Sequence, residues 1–317
     1  ARQAYYEWLP IRMPLERNSD QVYRSFHVGT LFSLYMLDSR LSGRVEALDY
    51  HDYTLADGSI KVDEFVADVE KHSRKMLGIE QFNWLEAELK NSTAQWQLIA
   101  QQVRVSENLI PADIIQLALQ YRTQNRTQKT QTREQILQAF GQASQIKARM
   151  ALKDRSLSES EIQHLEPMLP YNLDAWDGYP QARRQLYQLL QNIDRGVLVL
   201  SGDAHYAWSN RLVDDSESTV GIELGVTSVS APGIEEDYGI DDPALLLQLE
   251  QASPLFNQHS LYTNLMDRGY LILQLGRIEA KAHWRYVSNI SSRRYQTIPQ
   301  RNHLLRIAYH NGRYYYR

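Results

Sequence analysis

Leu186, Leu189, Leu190 and Ile193 fall at i, i+3, i+4 and i+7, and a few residues later the chain reads VLVLSGDAHYAW. The first pattern is the apolar stripe of an amphipathic helix, with Pro180 near its start, where proline is tolerated. The second opens on four consecutive apolar residues, Val197 to Leu200, as expected of a strand buried on both faces. A one-faced helix leading into a fully buried strand is the repeating unit of an α/β sheet. The fold class expected is therefore α/β.

The rest of the chain agrees with that expectation. Leu31 to Leu37 is another short apolar run, ending at Asp38-Ser39-Arg40. Residues 62–90 have helical periodicity, with Phe82, Leu85 and Leu89 on one face and a break at Gly78. AQWQLIAQQVRV, from Ala94, reads as a strand, as does VGIELGVTSV. YLILQLG and RIEAKAHWRYV read as an antiparallel hairpin, and Asn311-Gly312 marks a second. Residues 112–166 read as a helical insertion whose polar middle, YRTQNRTQKTQTREQ, is expected to be mobile and exposed. At 317 residues the chain fits a single large α/β domain.

Composition narrows the function classes. A net charge of −4 gives no field that would draw nucleic acid or an anionic membrane. No apolar run approaches the ~20 residues that span a bilayer. Cysteine is absent, so this chain supplies no disulfide, thiolate ligand or thiol nucleophile.

The carboxyl edge of an α/β sheet is where ligands bind. Asp203 and His205 stand there, one residue apart, behind Gly202. In extended backbone the two side chains would point the same way. Glycine would let the backbone approach an ion. A carboxylate beside an imidazole suits iron, manganese or zinc. Two structural alternatives stand beside this: Asp203 as the N-cap of a helix beginning near His205, and His205 as a satisfied buried histidine. Asp49-Tyr50-His51 has the same spacing but no strand before it, and is assigned to the surface.

Several segments together resemble the carboxy-terminal portion of a PhoD-like alkaline phosphatase/phosphodiesterase, within the calcineurin-like metallophosphoesterases. They are YYEWLPIR from Tyr5, YRSFHVGTLFSLYMLDSR, MLGIEQFNWLEAELKNSTAQWQLIAQQV, DAWDGYPQAR, LSGDAHYAW and GIELGVTSVSAPG. The resemblance implies a sandwich of two mixed β-sheets flanked by helices (αββα), incomplete at its N-terminus. It implies metal-dependent hydrolysis of phosphate mono- or diesters, with a small-molecule ester as partner and iron and calcium as cofactors. It places Asp203 and His205 in the last metal-ligand motif. Asp38 and Arg40 match a strand-end motif facing the same site. Arg40 is expected to hold a phosphate oxygen. Asp38 is expected to be a ligand, to orient Arg40, or to form a buried salt bridge. Trp176-Asp177-Gly178-Tyr179 is expected to fix a turn, and Glu223 and Ser228 to support the ligands or the sheet edge. The family's earlier ligands, a cysteine among them, have no counterpart here, so the chain is expected to hold part of a site. The family is commonly exported, which implies a place outside the cytoplasm. A catalytically inert α/β module is the rival expectation.

Overall fold

The computed structural model describes residues 2–11 and 21–317; Arg12, at the end of the YYEWLPIR segment, lies outside them. The strands are β1 (Arg24–Val28), β2 (Phe32–Met36), β3 (Trp96–Ala100), β4 (Leu109–Pro111) and β5 (Met168–Pro170). They continue as β6 (Gly196–Ser201), β7 (Ala207–Val213), β8 (Thr219–Gly225) and β9 (Ser260–Asn264). β10 (Arg268–Leu275), β11 (Glu279–Val287), β12 (His303–His310) and β13 (Arg313–Tyr316) complete the set.

β1, β2, β3, β6, β8, β7 and β9 form one sheet in that order. Its middle, β2-β3-β6-β8, is parallel; β1, β7 and β9 join antiparallel. β10 to β13 form a second sheet, antiparallel throughout. Both expected hairpins are present. In the second, Asn311 and Gly312 have φ of 51° and 74° and join His310 to Arg313. Positive φ at both turn residues matches the twist of the flanking strands.

Alternation along β6 sets the layers. Val197 and Val199 face the helices Ile79–Asn91 and Pro180–Gln191, packing with Leu85, Leu89, Leu186 and Leu190. Leu198 and Leu200 face the second sheet, where Trp96, Ile222 and Leu224 meet Ala280, Ala282, Trp284, Leu305 and Ile307. The parallel strands are thus covered on both sides, as their apolar runs require. Among the described residues no helix is long and apolar enough to cross a membrane.

Two points refine the expectations. The polar stretch 121–135 is mostly exposed, as expected, and it is helical over most of its length. The helices Ala112–Thr123 and Arg126–Ala151 meet within it, the second starting at a capping box between Asn125 and Gln128. Tyr121 and Thr132 are buried. A capped helix needs no continuous apolar stripe when neighbours bury only a few of its positions. Second, no helix starts at His205; β7 begins at Ala207. Asp203 is therefore not a helix cap.

Candidate active site at the strand ends

Each of the four parallel strands delivers its next residues to one cleft. Arg40 follows β2, Gln101 and Gln102 follow β3, Gly202 and Asp203 follow β6, and Val226 follows β8; with Ala100, Leu200 and Ser201 they line about 490 Å³. The ladder continues a step past the strands: Leu37 N–H donates to Ala100 C=O (2.8 Å), Gln101 N–H to Leu200 C=O (3.0 Å) and Val226 N–H to Ser201 C=O (2.9 Å). The cleft floor is thus rigid sheet edge.

The Asp38–Arg40 turn is clamped from two sides. Gln81 accepts from Asp38 N–H (2.7 Å) and donates to Asp38 C=O (2.8 Å). Gln102 accepts from Ser39 N–H (2.8 Å) and donates to Leu37 C=O (2.9 Å). The buried Asp38 carboxylate accepts from the N–H groups of Arg40 (3.0 Å), Leu41 (2.8 Å) and Ser42 (2.9 Å). Asp38 thus turns into its own loop and is not among the cleft-lining residues. The salt bridge of Arg40 is made elsewhere. One end of its guanidinium pairs with Asp174, and Nη2 donates to Asp203 Oδ1 (2.8 Å). Burial alone would raise the pKa of Asp174. The hydrogen bonds from Arg40 and Arg44 outweigh it and hold the carboxyl below its usual range.

Asp203 and His205 adopt φ of 73° and 58°. The expected extended backbone is therefore absent. Ala204 N–H bonds to Gly202 C=O (2.9 Å) across Asp203, closing a tight three-residue turn. Positive φ at two non-glycine residues in one turn is uncommon and strained, and such residues concentrate at functional sites. Asp203 lines the cleft, while His205 is exposed two residues further on and is not among the lining residues. His205 Nδ1 lies 2.6 Å from Pro232 C=O. A carbonyl only accepts, so Nδ1 carries a proton, which leaves Nε2 as the nitrogen that could ligate a metal. Ser228, whose hydroxyl donates to Ala231 C=O (2.5 Å), shapes the loop carrying that carbonyl. A Cβ on Gly202 would meet nothing closer than 3.8 Å, so packing does not demand glycine there. The donors thus fit a metal ion in kind. They do not complete a shell, since no group of three or more His, Cys, Asp or Glu that could hold a metal is found among the described residues.

The other singled-out residues lie behind the cleft. Glu223 is fully buried and accepts from Val105 N–H (2.7 Å), Ser106 N–H (3.0 Å) and the Ser201 hydroxyl (2.7 Å). Trp176 and Tyr179 belong to the helix-side core, and Asp177 pairs with Arg183. Asp49 accepts from His51 N–H (3.0 Å) in an exposed turn. Sequence reasoning missed Gln101, Gln102 and Asp174. The two glutamines were within reach, because they follow a buried strand as Asp203 does. Asp174 lies 134 positions from Arg40, and nothing local announces their pairing.

The fold is an α/β sandwich of metallophosphoesterase type, with a cleft at the carboxyl edge of its parallel strands. A sequence profile of PhoD-like phosphatases matches residues 1–284, and the chain belongs to that family. Alkaline phosphatase D of Bacillus subtilis (strain 168) is 27% identical over 292 residues, covering 90% of this chain and 38% of that protein. A solved structure of PhoD superimposes with a TM-score of 0.59 at 21% identity, covering 99% of this chain and 47% of that one. The chain spans less than half the length of these relatives.

Proposed function

We propose that the cleft is the phosphate-ester site of a metal-dependent hydrolase, acting on mono- or diesters. The observation that carries this reading is the meeting of Arg40, Asp203 and the β3 glutamines at the carboxyl ends of adjacent parallel strands, in a chain of the PhoD-like family. Asp203 and His205 would hold metal: iron or calcium by family resemblance, manganese or zinc by donor type. Bound metal ions would polarise the phosphoryl group and lower the pKa of a water. Pro232 C=O would hold a proton on His205 Nδ1 and direct Nε2 to the metal. Arg40 Nη2, the end of the guanidinium that Asp174 does not hold, would donate to a phosphoryl oxygen. Further donors would come from segments that the longer relatives have outside the matched span. The family's exported members support a site of action outside the cytoplasm. The second reading, an inert module, rests on the lack of a group of three or more such donors among the described residues.

The test is turnover of p-nitrophenyl phosphate by the longest natural form, with calcium, manganese and iron supplied in turn. His205→Ala is expected to lower metal-dependent turnover about 10³-fold, or about 4 kcal/mol of transition-state stabilisation. Residues 1–317 alone are expected to stay at background. Metal-dependent turnover that His205→Ala leaves unchanged would overturn the assignment. No metal-dependent turnover by the longest form would favour the inert module.

A further inference from the structure

Arg40 is held both at its backbone and at its guanidinium. Asp38 and the Gln81 and Gln102 clamps fix its backbone, and Asp174 grips one end of its guanidinium. Asp174 is itself anchored. Arg44 Nη2 donates to its carboxylate (2.5 Å) and to its backbone carbonyl (2.9 Å), and Asp174 N–H donates to Asn172 Oδ1 (3.0 Å). Arg44 is 9% exposed; its Nε donates to the Tyr179 hydroxyl (3.0 Å), which donates to Val45 C=O (2.7 Å). A hydrogen-bonded line therefore runs from the buried Tyr179 through Arg44 and Asp174 to Arg40. It leaves Nη2, at the cleft, with Asp203 as its partner.

We propose that Asp174 is a positioning residue that aims Arg40 at the phosphoryl group. The inference rests on the phosphate-ester reading of the cleft. When the Asp203 carboxylate turns to a metal ion, Arg40 keeps its hold on Asp174, and Nη2 stays directed at the cleft rather than swinging into solvent. An arginine fixed before the ligand arrives loses less side-chain freedom on binding it, and this lowers the apparent dissociation constant. The motif DAWDGY then has two duties: Trp176 and Tyr179 build the core, while Asp174 serves the cleft.

The experiment is calorimetric titration of the metal-loaded longest natural form with inorganic phosphate, comparing Asp174→Asn, Arg40→Ala and the double variant. Asp174→Asn is expected to raise the phosphate Kd about tenfold, the size of one charge-assisted hydrogen bond. KM for p-nitrophenyl phosphate should rise by the same factor. Arg40→Ala should weaken phosphate at least as much, with Asp174→Asn adding nothing in that background, since the two act as one unit. A purely structural residue would lower the melting temperature without this non-additivity. Should Asp174→Asn fail to fold, Asp174→Glu, which keeps the charge but displaces it, is expected to weaken phosphate in the same direction. Phosphate binding unchanged or tighter in the Asp174 variants, while Arg40→Ala weakens it, would overturn the proposal and leave the phosphate-ester reading standing. Phosphate binding unaffected by Arg40→Ala would remove Arg40 from the site and the proposal with it.

Discussion

At Glu223 one buried carboxylate gathers three donors from two other segments: two backbone N–H groups after β3 and the last hydroxyl of β6. These segments carry Gln101, Gln102 and Asp203, so Glu223 holds the cleft floor from below. Glu223→Gln keeps the volume but turns one acceptor into a donor facing N–H groups. A stranded buried donor costs about 2–3 kcal/mol. Urea denaturation should give a loss of that size; a loss below about 0.5 kcal/mol would show that the carboxylate is not needed there. The same residue scale holds the clearest limit on what sequence conveys. The strand ending at Ser201 was legible from its four apolar residues, and with it the place of Asp203. The conformation was not. Asp203 and His205 have positive φ, and His205 is held by Pro232 C=O at the imidazole and by the Thr227 hydroxyl, 3.0 Å from His205 C=O. Those partners lie more than twenty positions downstream.

Among the elements, helices with a broad apolar stripe and strands with unbroken apolar runs were readable. Residues 112–166 were readable as a helical insertion, but the start of the helix Arg126–Ala151 within their polar middle was not, because most of its surface faces solvent. Its far end is closed by a charge cluster. Arg149 pairs with Asp154 (2.7 Å) and Glu161 (2.6 Å) across the turn to the helix Glu159–Gln163. Hydrogen bonds from Arg149 and then Ser156 hold Asp154 at about 2, below its usual 3.8. The backbone and hydroxyl of Ser158, then Arg149, hold Glu161 at about 2, below its usual 4.5. Both folded pKa values are depressed. Their contribution is therefore full above the unfolded pKa values and is lost as pH falls towards 2. NMR titration of the carboxyl carbons should find both midpoints near 2, and Arg149→Ala should raise Asp154 more than Glu161. Ordinary midpoints in the unmodified protein would contradict the clamp.

Across the whole molecule, the cleft exists because two sheets pack face to face and hold four strand ends in line. Trp284 lies at the centre of that packing, fully buried, and its Nε1 donates to the carbonyl of Gly225 (2.9 Å), the last residue of β8. Gly225 is glycine because a Cβ there would come within 2.0 Å of the Trp208 ring. Trp284→Ala should cost about 3–5 kcal/mol in denaturation and loosen the β8 end of the cleft; a loss under about 1 kcal/mol would mean that the sheets do not depend on this contact. The layered fold was legible because each layer has its own periodicity. The set of cleft residues was legible only in part, because β2, β3, β6 and β8 are brought side by side by crossovers that no local pattern records.

Asp203 and His205, at the carboxyl edge of the parallel strands, are the proposed metal ligands. Anomalous diffraction from crystals of the longest natural form loaded with manganese tests that assignment most directly. An anomalous peak is expected within bonding distance of both an Asp203 carboxylate oxygen and His205 Nε2, with Arg40 still paired to Asp174. A metal bound without either residue, or a loaded protein whose peaks all lie away from the β6 end, would contradict it.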